Sequence, residues 1–153
     1  MFYTKDKNNE NFINDLKSIL DKNDEVITTL SNSVAIIKYY LKDISWVGFY
    51  IRKDNYLYLG PFQGQPACTK IMFGKGVCGE SFKLKETILV SDVTKHANHI
   101  FCDENTKSEI VLPIIKNNEV YAVLDIDSYM LDRFKEADKD TLALAVKIIE
   151  EKI

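Results

Sequence analysis

Three cysteines lie in polar or small-residue segments rather than in hydrophobic runs: Pro66-Ala67-Cys68-Thr69, Gly76-Val77-Cys78-Gly79 and His99-Ile100-Phe101-Cys102-Asp103. Thiols gathered at one site can ionise, be oxidised and exchange disulfides. The competing reading is three unrelated buried thiols, because free Cys packs as a small hydrophobe. An odd number cannot all pair within one chain. The two histidines, His96 and His99, share a segment with Cys102, so a His96/His99/Cys102 metal site is conceivable, yet no Cys-x-x-Cys pair supports zinc.

Carboxylates form the second group. Asp125 and Asp127 sit two apart in an apolar stretch, so as strand residues they point to one side, and Glu109 opens a neighbouring apolar stretch. A charge inside a strand needs a partner. Bonding to local backbone N–H groups is the plain reason for either aspartate alone. Taken with Glu109, Trp46 and three thiols, a pocket for a small zwitterion accounts for them better. Trp46 and Tyr50 share a strand face and are either core aromatics or the walls of an apolar slot for a thioether-like side chain.

The chain that must position these groups has 153 residues, 46% apolar and 28% charged, with six glycines and three prolines, a composition expected of one globular domain over 1–153. Its net charge of −3 comes without a basic stripe, so nucleic acid is not an expected partner. The start, Met1 to Glu10, is polar and has no signal-peptide core, and no apolar run is long enough to span a bilayer. A cytoplasmic location is therefore expected, where a disulfide is transient and catalytic rather than a staple.

Helical spacing of Phe12, Ile13, Leu16, Ile19 and Leu20 predicts a helix from Glu10 to Asp21. A second helix, capped by Asn23-Asp24, carries Val26, Ile27, Leu30, Val34, Ile37 and Leu41 on one stripe. Ile44 to Ile51 and Tyr56 to Leu59 read as strands around a turn, with Gly60 to Pro66 breaking the run into a loop that delivers Cys68. Gly74-Lys75-Gly76-Val77-Cys78-Gly79 lacks phosphate-loop spacing and reads as a turn opening a short helix, whose N-terminus would favour a Cys78 thiolate. Thr87 to Val90 is a short strand, and Ser91 to Lys107 a long polar connection of the kind that carries function. Two strands, Glu109 to Ile115 and Val120 to Ile126, flank an Asn117-Asn118 hairpin turn, and a last helix from Glu136 buries Leu142, Val146, Ile149 and Ile153. This order predicts an α+β fold, an antiparallel sheet with helices on one face and the other face left for a ligand.

The runs Trp46-Val47-Gly48-Phe49-Tyr50, Leu59 to Cys68, Phe73 to Gly79, His99 to Asp103, Ser108 to Pro113 and Val123 to Ser128 closely resemble the free methionine-(R)-sulfoxide reductases, which are stand-alone GAF domains. The resemblance implies a GAF-like sheet of about six strands with the N- and C-terminal helices on one face. It also implies reduction of the R epimer of free methionine sulfoxide without metal or organic cofactor. By the same resemblance Cys102 is the nucleophile, Cys68 resolves it and Cys78 lies close by. Trp46, Tyr50, Glu109, Asp125 and Asp127 line the substrate site, with Glu109 on the sulfoxide oxygen and the aspartates on the amino group. Thioredoxin is the implied reductant, and pairing of two chains is plausible for such domains. Phe101 departs from the family, which has a small residue there, so the shape of the pocket beside it is open. A sensing GAF module and a thiol switch without turnover are the alternative readings.

Overall fold

The structure, a computed structural model, describes residues 6–153, so the first half of the polar start lies outside the described residues. Helices α1 (Asn9–Ile19) and α2 (Val26–Tyr40) come first. Asn8 caps α1 by accepting from the backbone N–H of Asn11. The Asn23-Asp24 cap expected for α2 does not form. Its N-cap is Glu25, whose side chain makes no capping bond, while Asn23 is held by the Asp21 carboxylate. Ile27, expected on the buried stripe, is exposed.

Strands β1 (Trp46–Lys53), β2 (Tyr56–Gln63), β3 (Lys70–Met72), β4 (Ile88–Val90), β5 (Ser108–Lys116) and β6 (Glu119–Ser128) form one antiparallel sheet in the order β3-β2-β1-β6-β5-β4. Helix α3 (Gly76–Leu84) lies between β3 and β4 in sequence, and α4 (Glu136–Lys152) closes the chain. The β5–β6 hairpin turns on Asn117 and Asn118, at φ 53° and 62°, as their dipeptide predicts.

One expectation fails instructively. Gly60 and Pro61 do not end β2; they sit within it, where the register with β1 jumps from Tyr50↔Leu59 to Gly48↔Phe62. The extra residue is a β-bulge, one of the few places a sheet accommodates a proline. The short strand β3 was not anticipated, because Lys70-Ile71-Met72 has too few residues to show a period.

Period-two alternation divides the sheet into two buried faces. Val47, Phe49, Ile110, Leu112, Ile114, Ala122, Leu124 and Ile126 point to one side and pack with Phe12, Leu16, Leu30, Ile37, Leu142, Ala145 and Ile149 of α1, α2 and α4. Trp46, Tyr50, Val111 and Val123 point to the other, against Val77, Cys78 and Phe82 of α3. The terminal helices thus share one face as expected, and α3 with the long connection roofs the opposite face.

Candidate active site

The register of the central strands assembles the acidic side chains. Trp46 of β1 lies opposite Asp127 of β6, Asp127 opposite Glu109 of β5, and Glu109 opposite Val90 of β4. One step along the same face, Gly48, Asp125 and Val111 form the next row. Glu109 and Asp125 are each 6% exposed, and Asp127 is half-buried at the rim. They line a cavity of about 40 Å³ with Trp46, Tyr50, Cys78, His99, Ile100, Cys102, Asp103 and Thr106, among others.

Two loops are joined covalently at this cavity. Cys68, following β2, forms a disulfide with Cys102 of the long connection, with Cα atoms 5.4 Å apart across a sequence separation of 34. Cys78 is free and buried. The three cysteine segments therefore converge on one cavity, which excludes three unrelated thiols.

Hydrogen bonds fix the walls. The indole N–H of Trp46 donates to the Gln65 carbonyl at 3.0 Å, and the Tyr50 hydroxyl donates to the Cys68 carbonyl at 2.9 Å. Both polar tips are spent on the loop that carries Cys68, which leaves the ring bodies to line the cavity. The two rings stack 5.9 Å apart, and Phe62 stacks on the far side of the indole at 5.3 Å. Glycine makes this possible: a Cβ at Gly48 would come within 2.5 Å of the Trp46 ring, and one at Gly64, where φ is +142°, within 2.4 Å.

The long connection is anchored rather than loose. It opens with a 3-10 turn, Val93–Lys95, capped by Asp92. The His96 ring pairs with the Glu80 carboxylate of α3 at 2.7 Å, and the Asn98 amide donates to the Gly74 carbonyl at 3.0 Å. On the other side of Cys102, the Tyr129 hydroxyl donates to Asp103 at 2.7 Å. With Cys102 in a disulfide and His96 on Glu80, the conceivable His96/His99/Cys102 metal site is not assembled.

Electrostatics in the cavity favour protonated acids. Burial, reinforced by the Asp127 charge, pushes the Glu109 carboxyl up to about 8. Burial and the Glu109 charge hold Asp125 well above the usual carboxylate range, and burial followed by the Asp125 charge does the same to Asp127. Cys78 stands in the third residue of α3, but its thiol is pushed up, by burial first and then by Asp125, Glu109 and Asp127. The thiolate expected from the helix N-terminus is overridden, since a dipole worth less than about 2 kcal/mol does not offset desolvation next to three carboxyl groups.

His99 also lines the pocket, although its place in the sequence suggests only the conceivable metal site with His96 and Cys102. Its side chain is 5% exposed, with Nδ1 3.5 Å from Glu109 Oε2, and burial lowers its affinity for a proton. Phe101, at a position where the resemblance implies a small residue, turns outward: it is 54% exposed, with its ring edge-on to His99 at 4.4 Å.

The GAF domain model matches residues 24–153. A free methionine-R-sulfoxide reductase from Saccharomyces cerevisiae is 46% identical over 131 residues, covering 80% of this chain and 73% of that protein. The chain belongs to the free methionine-(R)-sulfoxide reductase family of GAF domains. The solved structure of the Staphylococcus aureus protein fRMsr, in its reduced form, superposes with a TM-score of 0.92 at 44% identity, covering 97% of this chain and 96% of that one. The free methionine-R-sulfoxide reductase of Neisseria meningitidis, solved in complex with its substrate, gives 0.88 at 34% identity, covering 98% and 92%. As a member of this reductase family the chain presents its buried carboxyl groups, aromatic slot and paired cysteines on a single sheet face.

Proposed function

We propose that the protein reduces free methionine (R)-sulfoxide to methionine at this cavity, with Cys102 as nucleophile. The observation that carries the reading is the Cys68–Cys102 disulfide at a cavity that Cys102 lines together with Glu109, Asp125 and Asp127. The Cys102 thiolate attacks the sulfoxide sulfur and the oxygen leaves, protonated, as water, which gives a sulfonium bonded to Cys102 Sγ; water then attacks Cys102 Sγ and breaks that S–S bond, so methionine leaves, a proton is released and Cys102 is left as a sulfenic acid. The Cys68 thiol then displaces the hydroxyl as water and closes the disulfide. An outside dithiol, thioredoxin in our reading, returns both cysteines to thiols and is itself oxidised, a cycle suited to a reducing cytosol.

Glu109 suits the role of acid because it keeps its proton at neutral pH. Asp125 and Asp127 suit the ammonium of a free amino acid, since among the described residues no Lys or Arg lines the cavity to compete for them. Trp46 and Tyr50 offer ring surface to the thioether chain. Cys78, protonated and beside Asp125, serves as a reserve thiol rather than as the first nucleophile.

The test is turnover of each epimer of free methionine sulfoxide with a small dithiol as reductant. Wild-type protein should form methionine from the R epimer alone, and Cys102→Ser should form none. Cys68→Ser should accumulate a sulfenic acid that a cyclic-dione probe labels. Turnover that survives in Cys102→Ser would remove the nucleophile assignment. A sensor would bind the amino acid and return it unchanged.

A further inference from the structure

Cys102 stands between two spaces. On one side is the cavity that holds Glu109, Asp125 and Asp127; on the other, Cys102 lines an open groove of about 460 Å³ with Phe101, Asp103, Glu104 and Tyr129, among others. Cys68 is absent from the described residues that line either one. It is half-buried and packs against the apolar cluster of Trp46, Tyr50 and Leu57, whereas Cys102 is exposed. The Cys68 segment is also tied down, since Tyr50 donates to the Cys68 carbonyl and the Leu59 N–H donates to the Thr69 carbonyl at 3.1 Å. A thiol arriving from solvent through the groove therefore meets the sulfur of Cys102, and access is one of the factors that decide which sulfur of a disulfide is attacked.

The groove has a character of its own. Phe101 and Tyr129 are large aromatic residues left exposed beside a reactive sulfur, and aromatic rings are enriched where proteins meet proteins. Both rings are already positioned: the Tyr129 hydroxyl is bonded to Asp103, and Phe101 stands edge-on to His99, so contact orders little that is not ordered beforehand. Charge separates the possible reductants. Asp103 and Glu104 line the groove, and among the described residues no Lys or Arg does. Glutathione brings two carboxylates into that field with nothing to offset them. A protein dithiol whose attacking cysteine stands at a helix N-terminus brings the positive end of a helix dipole instead.

We propose that a protein dithiol docks on this groove against Phe101 and Tyr129 and attacks Cys102 Sγ rather than Cys68. The inference rests on the proposed reaction, which leaves the protein as a disulfide with no reductant of its own. The partner's first thiolate bonds to Cys102 Sγ and expels Cys68 as a thiolate, which takes a proton from solvent. Its second thiolate then attacks its own first sulfur and expels Cys102. The partner leaves as a disulfide, and the two electrons it carried stay on Cys68 and Cys102.

Thioredoxin is the probe. Oxidised wild-type protein is mixed with a thioredoxin whose second motif cysteine is serine, quenched in acid within the first turnover and mapped by peptide mass spectrometry. The trapped partner should sit on Cys102, with Cys68 free; a partner on Cys68 would overturn the proposal. The docking face is read from the rate at which intact reduced thioredoxin opens the disulfide, measured beside dithiothreitol with no sulfoxide present. Phe101→Ser and Tyr129→Ser together should slow thioredoxin at least about tenfold and leave dithiothreitol within about twofold of wild type. A thioredoxin rate that is unchanged, or that falls equally with both reductants, or glutathione acting as fast as thioredoxin on the wild-type protein, would also overturn it. Sulfoxide turnover with dithiothreitol is assayed separately: a trap on Cys102 without turnover keeps the docking face and removes the proposed reaction, and turnover with a trap on Cys68 does the reverse.

Discussion

Glu109 shows how one residue's surroundings would set the pH behaviour of the proposed reaction. An unfolded glutamate titrates at 4.5, whereas burial and the Asp127 charge move the folded group to about 8. Between those values the folded protein holds a proton that the unfolded chain releases, so stability falls as pH rises through that window. Replacing Glu109 with Gln removes the titration, so the melting temperature of Glu109→Gln relative to wild type should climb from pH 5 to pH 8. Activity should change in the opposite sense. In the proposed reaction the protonated form is the acid, so kcat/KM should decline above about pH 8, and Glu109→Gln should lose about 100-fold or more with that alkaline limb flattened. A variant with wild-type kcat/KM would move the proton donor elsewhere in the cluster.

At the scale of elements, the site depends on β1 carrying no side chain between its two aromatic rings. Gly48 lies between Trp46 and Tyr50 on the cavity face, and a methyl there would meet Phe62 Cβ at 2.4 Å as well as the indole. Gly48→Ala should cost about 1–3 kcal/mol by chemical denaturation, and it should raise KM more than it lowers kcat because the slot wall shifts while the thiols stay in place. An unchanged KM would show that the indole does not bound the substrate. The elements were legible where a period runs long enough. Asp125 and Asp127 share a face because strands alternate, and Asn117-Asn118 makes the hairpin. What sequence could not show is register. That Trp46 of β1 meets Asp127, some eighty residues away, follows from two strands settling their buried faces together, and no local pattern encodes the offset. Pro61 lies within β2 for a related reason: its breaker character is real, but a bulge opposite Phe49 absorbs it. Nor could spacing alone separate the histidines, since His96 turns to Glu80 of α3 while His99 turns to Glu109.

At the scale of the molecule, the two faces of the sheet divide the work of the fold. The helix face carries most of the fully buried aliphatic and aromatic side chains, so truncating Leu124 or Ile149 to Ala should cost about 2–5 kcal/mol while leaving KM for the sulfoxide near its wild-type value. The cavity face is joined by the Cys68–Cys102 bond, which closes a loop with a sequence separation of 34 and by chain entropy contributes about 4 kcal/mol against unfolding. That closure also sets when a ligand can enter. Methionine sulfoxide has about ten non-hydrogen atoms, whereas a cavity of about 40 Å³ holds only a few waters, and Ile100 of the disulfide-bonded segment sits against Gly76 at its edge. We expect disulfide and substrate to compete for one space, with reduction releasing the Cys102 segment before binding. Calorimetric titration of free methionine (R)-sulfoxide should give heat with dithiol-reduced Cys102→Ser, which binds without turning over, and none with the oxidised wild-type protein. Equal affinity in the two would mean that the connection from Ser91 to Lys107 moves aside with its sulfur still bonded, and that the order of reduction before binding does not hold.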